Sequence, residues 1–432
     1  MNPIPTPAST PINVVSFGAK GDGMTDNSRS IQRALDSFRD GGALFFPAGR
    51  YVFGETIILP SNVRILGDGK RSTSLIYQGV EKAFVSGDRI GKYGTGSYYI
   101  TLEDLAIRGA NGAGTGLYLT SRYLTISNTE ITHFGTGIDC QFCWTNKFHN
   151  VSFFYNQIAF KGGSFLNANS FVNCIFSTGR KAVTFTQGAN ISFIGCQFEG
   201  YSDACFSFRD KVKAAICNLH ITGCYFENGG KCIDVGPNCS FSELSLSNSS
   251  VTTHGGGPAI AVDNAKHYGS NTGLVENNTF YRDNHGAAES FVHLEGPAYL
   301  IFRNNKGYAT PDHGNVALLD EETRLNHTSS IEEDLTDANR LNFSGVGFFK
   351  KGVMIGGTPP ALVDQGLLIA DHGKLKYFLD ATHFEYLLAG KAGPGTDRPK
   401  EAFTGMVYFD TALNQPVWWN GSQWVDAGGR SV

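Results

Sequence analysis

With 432 residues, 41% of them hydrophobic, the chain is long enough for one large core or for two to three domains. Its net charge of −4 offers no broad basic field to a nucleic-acid backbone, so nucleic-acid binding is set aside. The 53 glycines, 32 phenylalanines and 17 tyrosines, against 4 methionines, favour strands and tight turns over helices.

Residues 1–12, "MNPIPTPASTPI", contain no basic region and no apolar run, and are read as a flexible segment without a signal peptide. No stretch of 18 apolar residues marks a membrane span. The glycine- and aspartate-bearing "VVSFGAKGDGMTDN" precedes "NSRSIQRALDSF", where Ile31, Ala34, Leu35 and Phe38 fall at helical spacing with Asn27 or Ser28 as the N-cap. "ALFFPAGRYVF" and "NVRILGDG" follow as short strands.

From Leu102 a strand-turn-strand signature recurs: "LEDLAI", "ISNTEI", "FHNVSF", "FVNCIF", "FIGCQF", "ITGCYF", "LSNSSV", "VENNTF" and "FRNNKG". Its third residue is Asp104, Asn128, Asn150, Asn173, Gly195, Gly223, Asn248, Asn277 and Asn304, at intervals of 22 to 29 residues. A second series of short alternating strands lies between, such as "GIDC" at 137, "CFSF" at 205 and "CIDV" at 232. Two or three short strands per turn, with Asn or Gly at one corner, describe an all-β fold, a right-handed parallel β-helix. Where a Phe stands three residues after the corner it is expected to stack inward, with Cys174, Cys196 and Cys224 as small core residues. The hairpin turns that a propeller or sandwich needs every 8 to 12 residues are largely missing. The nine cysteines are read as reduced, buried thiols and not as a disulfide framework.

An open coil exposes an apolar end, so the helix at 27–38 is read as its lid. This opening, residues 13–70, with the repeat that follows, resembles the pectate-lyase-like β-helix family found in phage tailspike depolymerases. The resemblance implies a depolymerase that hydrolyses a bacterial capsular or surface polysaccharide, works as a parallel homotrimer and sits on a virion tail. Because only about a dozen residues precede the helix, three readings stay open: docking through a separate tail or anchor protein, a shortened chain, or a bacterial enzyme.

The periodicity stops near Tyr308, which places the β-helix with its groove at 71–310, an acidic linker at 311–345 and a C-terminal β-rich module at 346–432. That module carries Tyr408, Phe409, Trp418, Trp419 and Trp424, and is read as an oligomerisation or carbohydrate-binding cap.

A β-helix groove suits a polymer, and carboxylates on neighbouring coils are its natural catalysts. Glu199 and Glu227 follow the inward Phe of consecutive repeats, so their backbones should lie about 4.8 Å apart, an arrangement that can leave one carboxyl protonated as a general acid. Asp203 and Asp234 complete an acidic cluster, with Asp139, Thr184 and Ser207 at outward positions nearby. Arg209, Lys231, Tyr201, Tyr225, Trp144 and His254 are candidate substrate-binding residues, and Tyr155 and Tyr281 are further rings for stacking. Histidines and carboxylates lack metal-ligand spacing, so no metal or cofactor is expected. Two rivals share the scaffold: a lyase that cleaves uronates by β-elimination, and a non-catalytic spike that only holds a glycan.

Overall fold

A computed structural model describes residues 10–86, 97–209, 214–253, 257–263, 271–282, 291–295 and 298–309. It also describes shorter pieces at 331–332, 354–355, 367–371, 374–378, 384–386, 392–400, 402, 407–426 and 429–432. The chain divides into two compact units, Met1–Ala338 and Asn339–Val432.

The first unit is a parallel β-helix. Each coil passes through three strand positions, and each strand pairs in parallel with its counterpart one coil on. Sheet I contains Thr115–Leu119, Lys231–Val235 and Ile260–Asp263. Sheet II contains Thr101–Glu103, Thr125–Ser127 and Lys147–His149. Sheet III contains Ala106–Gly109, Glu130–Thr132 and Tyr225–Gly229. Long strands such as Gln197–Phe208 run through sheets III and I without a break. The stack reaches Lys306–Ala309, and Ile331–Glu332 adds one more rung beside Phe302 and Arg303.

All nine corner residues read from the repeat have positive φ, from 46° at Asn128 to 61° at Gly195 and Gly223. Asn and Gly occupy this left-handed region at least cost. The Asn amides also bridge coils: Asn150 Nδ2 donates to Asn128 Oδ1 at 3.0 Å, and Asn128 Nδ2 donates to Asp104 Oδ1. At Gly195 the ladder changes residue, and a Cβ there would stand 2.8 Å from the Asn173 amide oxygen. Two further corners also turn with positive φ, one at Tyr99, Tyr123, Thr145, Ala168, Asn190 and Asn218, the other at His133, Tyr155 and Thr178. Their residue types vary, so no repeat betrays them.

Inside, Phe153, Phe176, Phe198 and Phe226 form a continuous stack with centroids 4.7–4.8 Å apart and rings within 10° of parallel. Phe148, Phe171 and Phe193 form a second stack at 4.4 Å. The spacing of the rings is that of the strands themselves, so stacking and backbone pairing reinforce each other. Cys174, Cys196 and Cys224 are buried in the same register, each thiol directed at backbone carbonyls. Burial holds the Cys174 thiol far above its ordinary range.

Two cysteine expectations are corrected. Cys140 and Cys143 are joined by a disulfide, for which the three-residue separation in "CQFC" was the available signal, and Cys217 is exposed. The capping helix spans Ser28–Asp36 and buries Ile31, Ala34 and Leu35. Asn27 sits at its N-cap position but does not cap it; the fully buried amide instead bridges Lys20, Thr25 and Val52. Asp26 takes over, accepting from the Ser28 amide at 2.7 Å. Among the described residues no helix is long and apolar enough to cross a membrane.

In the second unit, Leu367–Asp371 pairs antiparallel with Lys374–Phe378, and Val407–Asp410 with Gln415–Trp419. Tyr408, Val417 and Trp424 form a small core. Asp410, buried, accepts from Arg398, and this partner holds its carboxyl below the usual range.

Truncating a ring in the middle of the longer stack should therefore be costly. Phe176→Ala is expected to lower unfolding stability by about 3–5 kcal/mol, whereas Phe165→Ala, at a site 48% exposed, should cost well under about 1 kcal/mol. Denaturant unfolding of the two variants beside the parent chain measures the difference.

Candidate functional site

The ten candidate residues fall into separate groups on the coil. Glu199 and Glu227 are direct partners in the parallel register of sheet III, one coil apart. In-register parallel strands place equivalent side chains side by side, so both carboxylates leave the same face about 4.8 Å apart at the backbone. Both are half-buried. Gln197 Nε2 donates to Glu199 Oε2 at 3.3 Å, and neither glutamate forms an ion pair with a described cation. Tyr225, 39% exposed, stands beside them. Partial desolvation, then its hydrogen bond to Glu227 and the charges of Glu227 and Glu199, hold its hydroxyl above the ordinary range.

The same outward column on sheet III continues through Phe154, Ser177, Glu199 and Glu227, and Thr252 pairs with Tyr281 further along. The corner beside this face bears His133 and Tyr155, with ring centroids 5.0 Å apart and Tyr155 58% exposed. Rings thus flank the carboxylate pair along the coil axis, Tyr155 beside the coil two before Glu199 and Tyr281 on the coil two after Glu227.

Asp234 belongs to a different face. On sheet I its Oδ1 accepts from Arg209 Nε at 2.7 Å and from Lys231 Nζ at 2.9 Å, and Arg209 reaches on to Asp263 at 3.2 Å. Arg209 and Lys231, expected to bind substrate, are both paired with Asp234. Asp139 is likewise 7% exposed, bound by Gln141 and by Lys161 at 3.3 Å. Thr184 and Ser207, expected at outward positions, are buried at 3% and 2% exposure.

Asp203 lies in Gln197–Phe208 and accepts from Arg180 through Nε at 3.1 Å and Nη2 at 2.8 Å. That partner holds its carboxyl below the usual carboxylate range, which keeps it ionised and unsuited to donate a proton. Tyr201, expected to stack on sugar, is a core residue at 1% exposure, and burial pushes its hydroxyl up. Trp144 lies on the opposite side of sheet I from sheet III, packed against the Arg122 guanidinium at 4.1 Å. His254 lies outside the described residues. Sequence reading missed Arg180 and Asp263, whose pairings depend on arginine side chains crossing between coils, and Gln197, which bonds Glu199 within its own strand. The described residues hold no group of three or more metal-ligating side chains.

Comparison with known proteins places this geometry. The chain is 29% identical over 157 residues to the tail spike protein of Shigella phage Sf6, an alignment that takes in 32% of this chain and 24% of the spike. The chain therefore spans well under two thirds of that relative. Among solved structures, ORF18 of Geobacillus virus E2 superposes with a TM-score of 0.51 at 15% identity, covering 97% of this chain and 85% of that one. The A-module of mannuronan C-5 epimerase AlgE4 from Azotobacter vinelandii also gives 0.51 at 16% identity, covering 74% and 99%. At such identities these two likenesses speak for the fold alone. The model of the family described as rhamnogalacturonase A/epimerase, pectate-lyase-like, matches residues 11–226, half of the sequence, and the chain belongs to that family.

Proposed function

We propose that the chain is a tailspike-like depolymerase that hydrolyses glycosidic bonds in a bacterial capsular or surface polysaccharide. Glu199 and Glu227 serve as acid and as base or nucleophile. The observation that carries this reading is the register match of the two glutamates: adjacent rungs, one outward face, no described cation between them. Two carboxylates flanking one bond are what glycoside hydrolysis requires. Tyr225 bridges to the pair, and the flanking rings of Tyr155 and Tyr281 give a pyranose chain surfaces to lie on along the coil axis. The likeness to the Sf6 tail spike supports a place on a phage tail; the reading adds action at a bacterial surface, a parallel homotrimer and a tail or anchor protein as its partner.

The lyase reading needs a base, already deprotonated, that takes the proton from the carbon next to the uronate carboxyl. The Tyr225 hydroxyl beside the pair is held above its ordinary range by partial desolvation and then by the same carboxylates, which disfavours it in that role. Asp234, spent on Arg209 and Lys231, is assigned to the scaffold.

The test mixes purified protein with a panel of capsular and exopolysaccharides and follows polymer size, new reducing ends and ultraviolet absorbance of unsaturated sugars. Shortened chains with reducing ends and no absorbance are expected. Rising absorbance would establish a lyase, and bound but intact polymer a binding spike. The anomeric configuration of the first product reads the working separation of the two carboxyls. On a cleaved substrate, Glu199→Gln and Glu227→Gln are each expected to lower turnover by about 10²–10⁴-fold while leaving stability unchanged. Asp234→Asn should show the reverse, a loss of about 1–3 kcal/mol in unfolding stability with turnover reduced less than about tenfold.

A further inference from the structure

The corner between sheets I and II carries an aromatic surface that the carboxylate site does not use. Tyr99 and Tyr123 occupy it on consecutive coils, their rings stacked at 4.9 Å and 9° from parallel. They are 50% and 47% exposed. Both residues have left-handed backbone, φ 58° and 59°, which is costly for a bulky side chain. The turn itself does not call for tyrosine, since Thr145, Ala168, Asn190 and Asn218 make the same corner on later coils. Two half-exposed rings on a strained backbone thus contribute little that the fold requires.

Beside them a second stack runs in register. Tyr98, Arg122 and Trp144 are successive partners on sheet I's outer edge, and the Arg122 guanidinium lies 5.7 Å from the Tyr98 ring and 4.1 Å from the Trp144 ring. No described carboxylate pairs with Arg122, although Arg64 on sheet II and Arg108 on sheet III each have one. A cation between two rings, next to a stacked pair of exposed tyrosines, combines the two contacts that an acidic sugar offers. These are an apolar ring face for stacking and a carboxylate for bidentate hydrogen bonds.

We propose that Tyr99, Tyr123 and Arg122 form a second, non-catalytic site for a uronate-bearing polysaccharide chain, remote from Glu199 and Glu227. The proposal rests on the polysaccharide-acting reading above and extends it. The catalytic pair cuts on sheet III while this corner keeps hold of the polymer, raising the effective substrate concentration at the pair. Trp144 acts here as a positioning residue for Arg122, not as a subsite of the cleavage groove.

The test uses the full chain and measures retention by affinity electrophoresis in gels containing polygalacturonate, hyaluronan, the uronate-bearing members of the capsular panel, or dextran as a neutral control. The variants are Tyr99→Asn/Tyr123→Asn, chosen because Asn already occupies this corner at 190 and 218, and Arg122→Gln. The parent chain is expected to be retarded by at least one uronate-bearing polymer and not by dextran. The double tyrosine variant should weaken that retardation about tenfold with an unchanged unfolding midpoint, and Arg122→Gln should weaken it in a salt-dependent way. Cleavage of short fragments should be unaltered in both. Absence of retardation in the parent chain, or retardation unchanged in both variants, overturns the proposal. So does a variant that loses its oligomeric state while still holding polymer, since the tyrosines would then serve a protein interface. Repeating the gels with Glu199→Gln keeps the two readings apart: retention survives there if the corner binds, whether or not the glutamates cleave.

Discussion

Everything in the first unit depends on one constraint, that successive coils pair in parallel with equivalent residues in register. A slip of one residue would turn each inward Phe outward and bring core side chains to the surface. Two devices hold the register. Inside, Phe153, Phe176, Phe198 and Phe226 stack at the strand spacing. Outside, the Asp104–Asn128–Asn150 ladder joins equivalent corners through side-chain amides while the left-handed backbone turns the chain. The ladder and the stack meet at Asn150 and Phe153, three residues apart, so side-chain amides hold the register of the coils up to that point and stacked rings that of the coils after it.

The same constraint makes the outer surface chemically legible. Any residue type that recurs at one offset becomes a column running along the axis, and a polymer lying along that axis meets the column residue by residue. Glu199 and Glu227 are one such column pair, and Tyr99 with Tyr123 another. Where opposite charges share a column or cross between coils, they neutralise each other, as Asp234 does with Arg209 and Lys231. A carboxylate pair without such partners therefore stands apart on this surface.

How much of this was visible in the sequence follows from which interactions are local. The Asn and Gly corners, the Phe stack and the buried Cys174, Cys196 and Cys224 column share an offset within each repeat, so each could be read directly, as could the adjacency of Glu199 and Glu227. Corners made by Tyr99, Thr145 and Ala168, or by His133 and Thr178, carry no common residue type and stayed hidden. The burial of Tyr201 was missed because an aromatic just past a corner can turn in or out, and only the long strand Gln197–Phe208 decides which. Pairings such as Arg180 with Asp203 depend on how far flexible side chains reach between coils, which no spacing encodes.

The most direct measurement of the register is site-specific cross-linking. A Glu199→Cys/Glu227→Cys chain, mildly oxidised and mapped by mass spectrometry, is expected to yield a 199–227 disulfide, since register partners lie within the Cα separation that a disulfide spans. A Glu199→Cys/Ser250→Cys chain, with its cysteines two coils apart, is expected to yield none. Failure of the first pair to link, or equal linking of the second, would contradict the stacking on which both proposed sites depend.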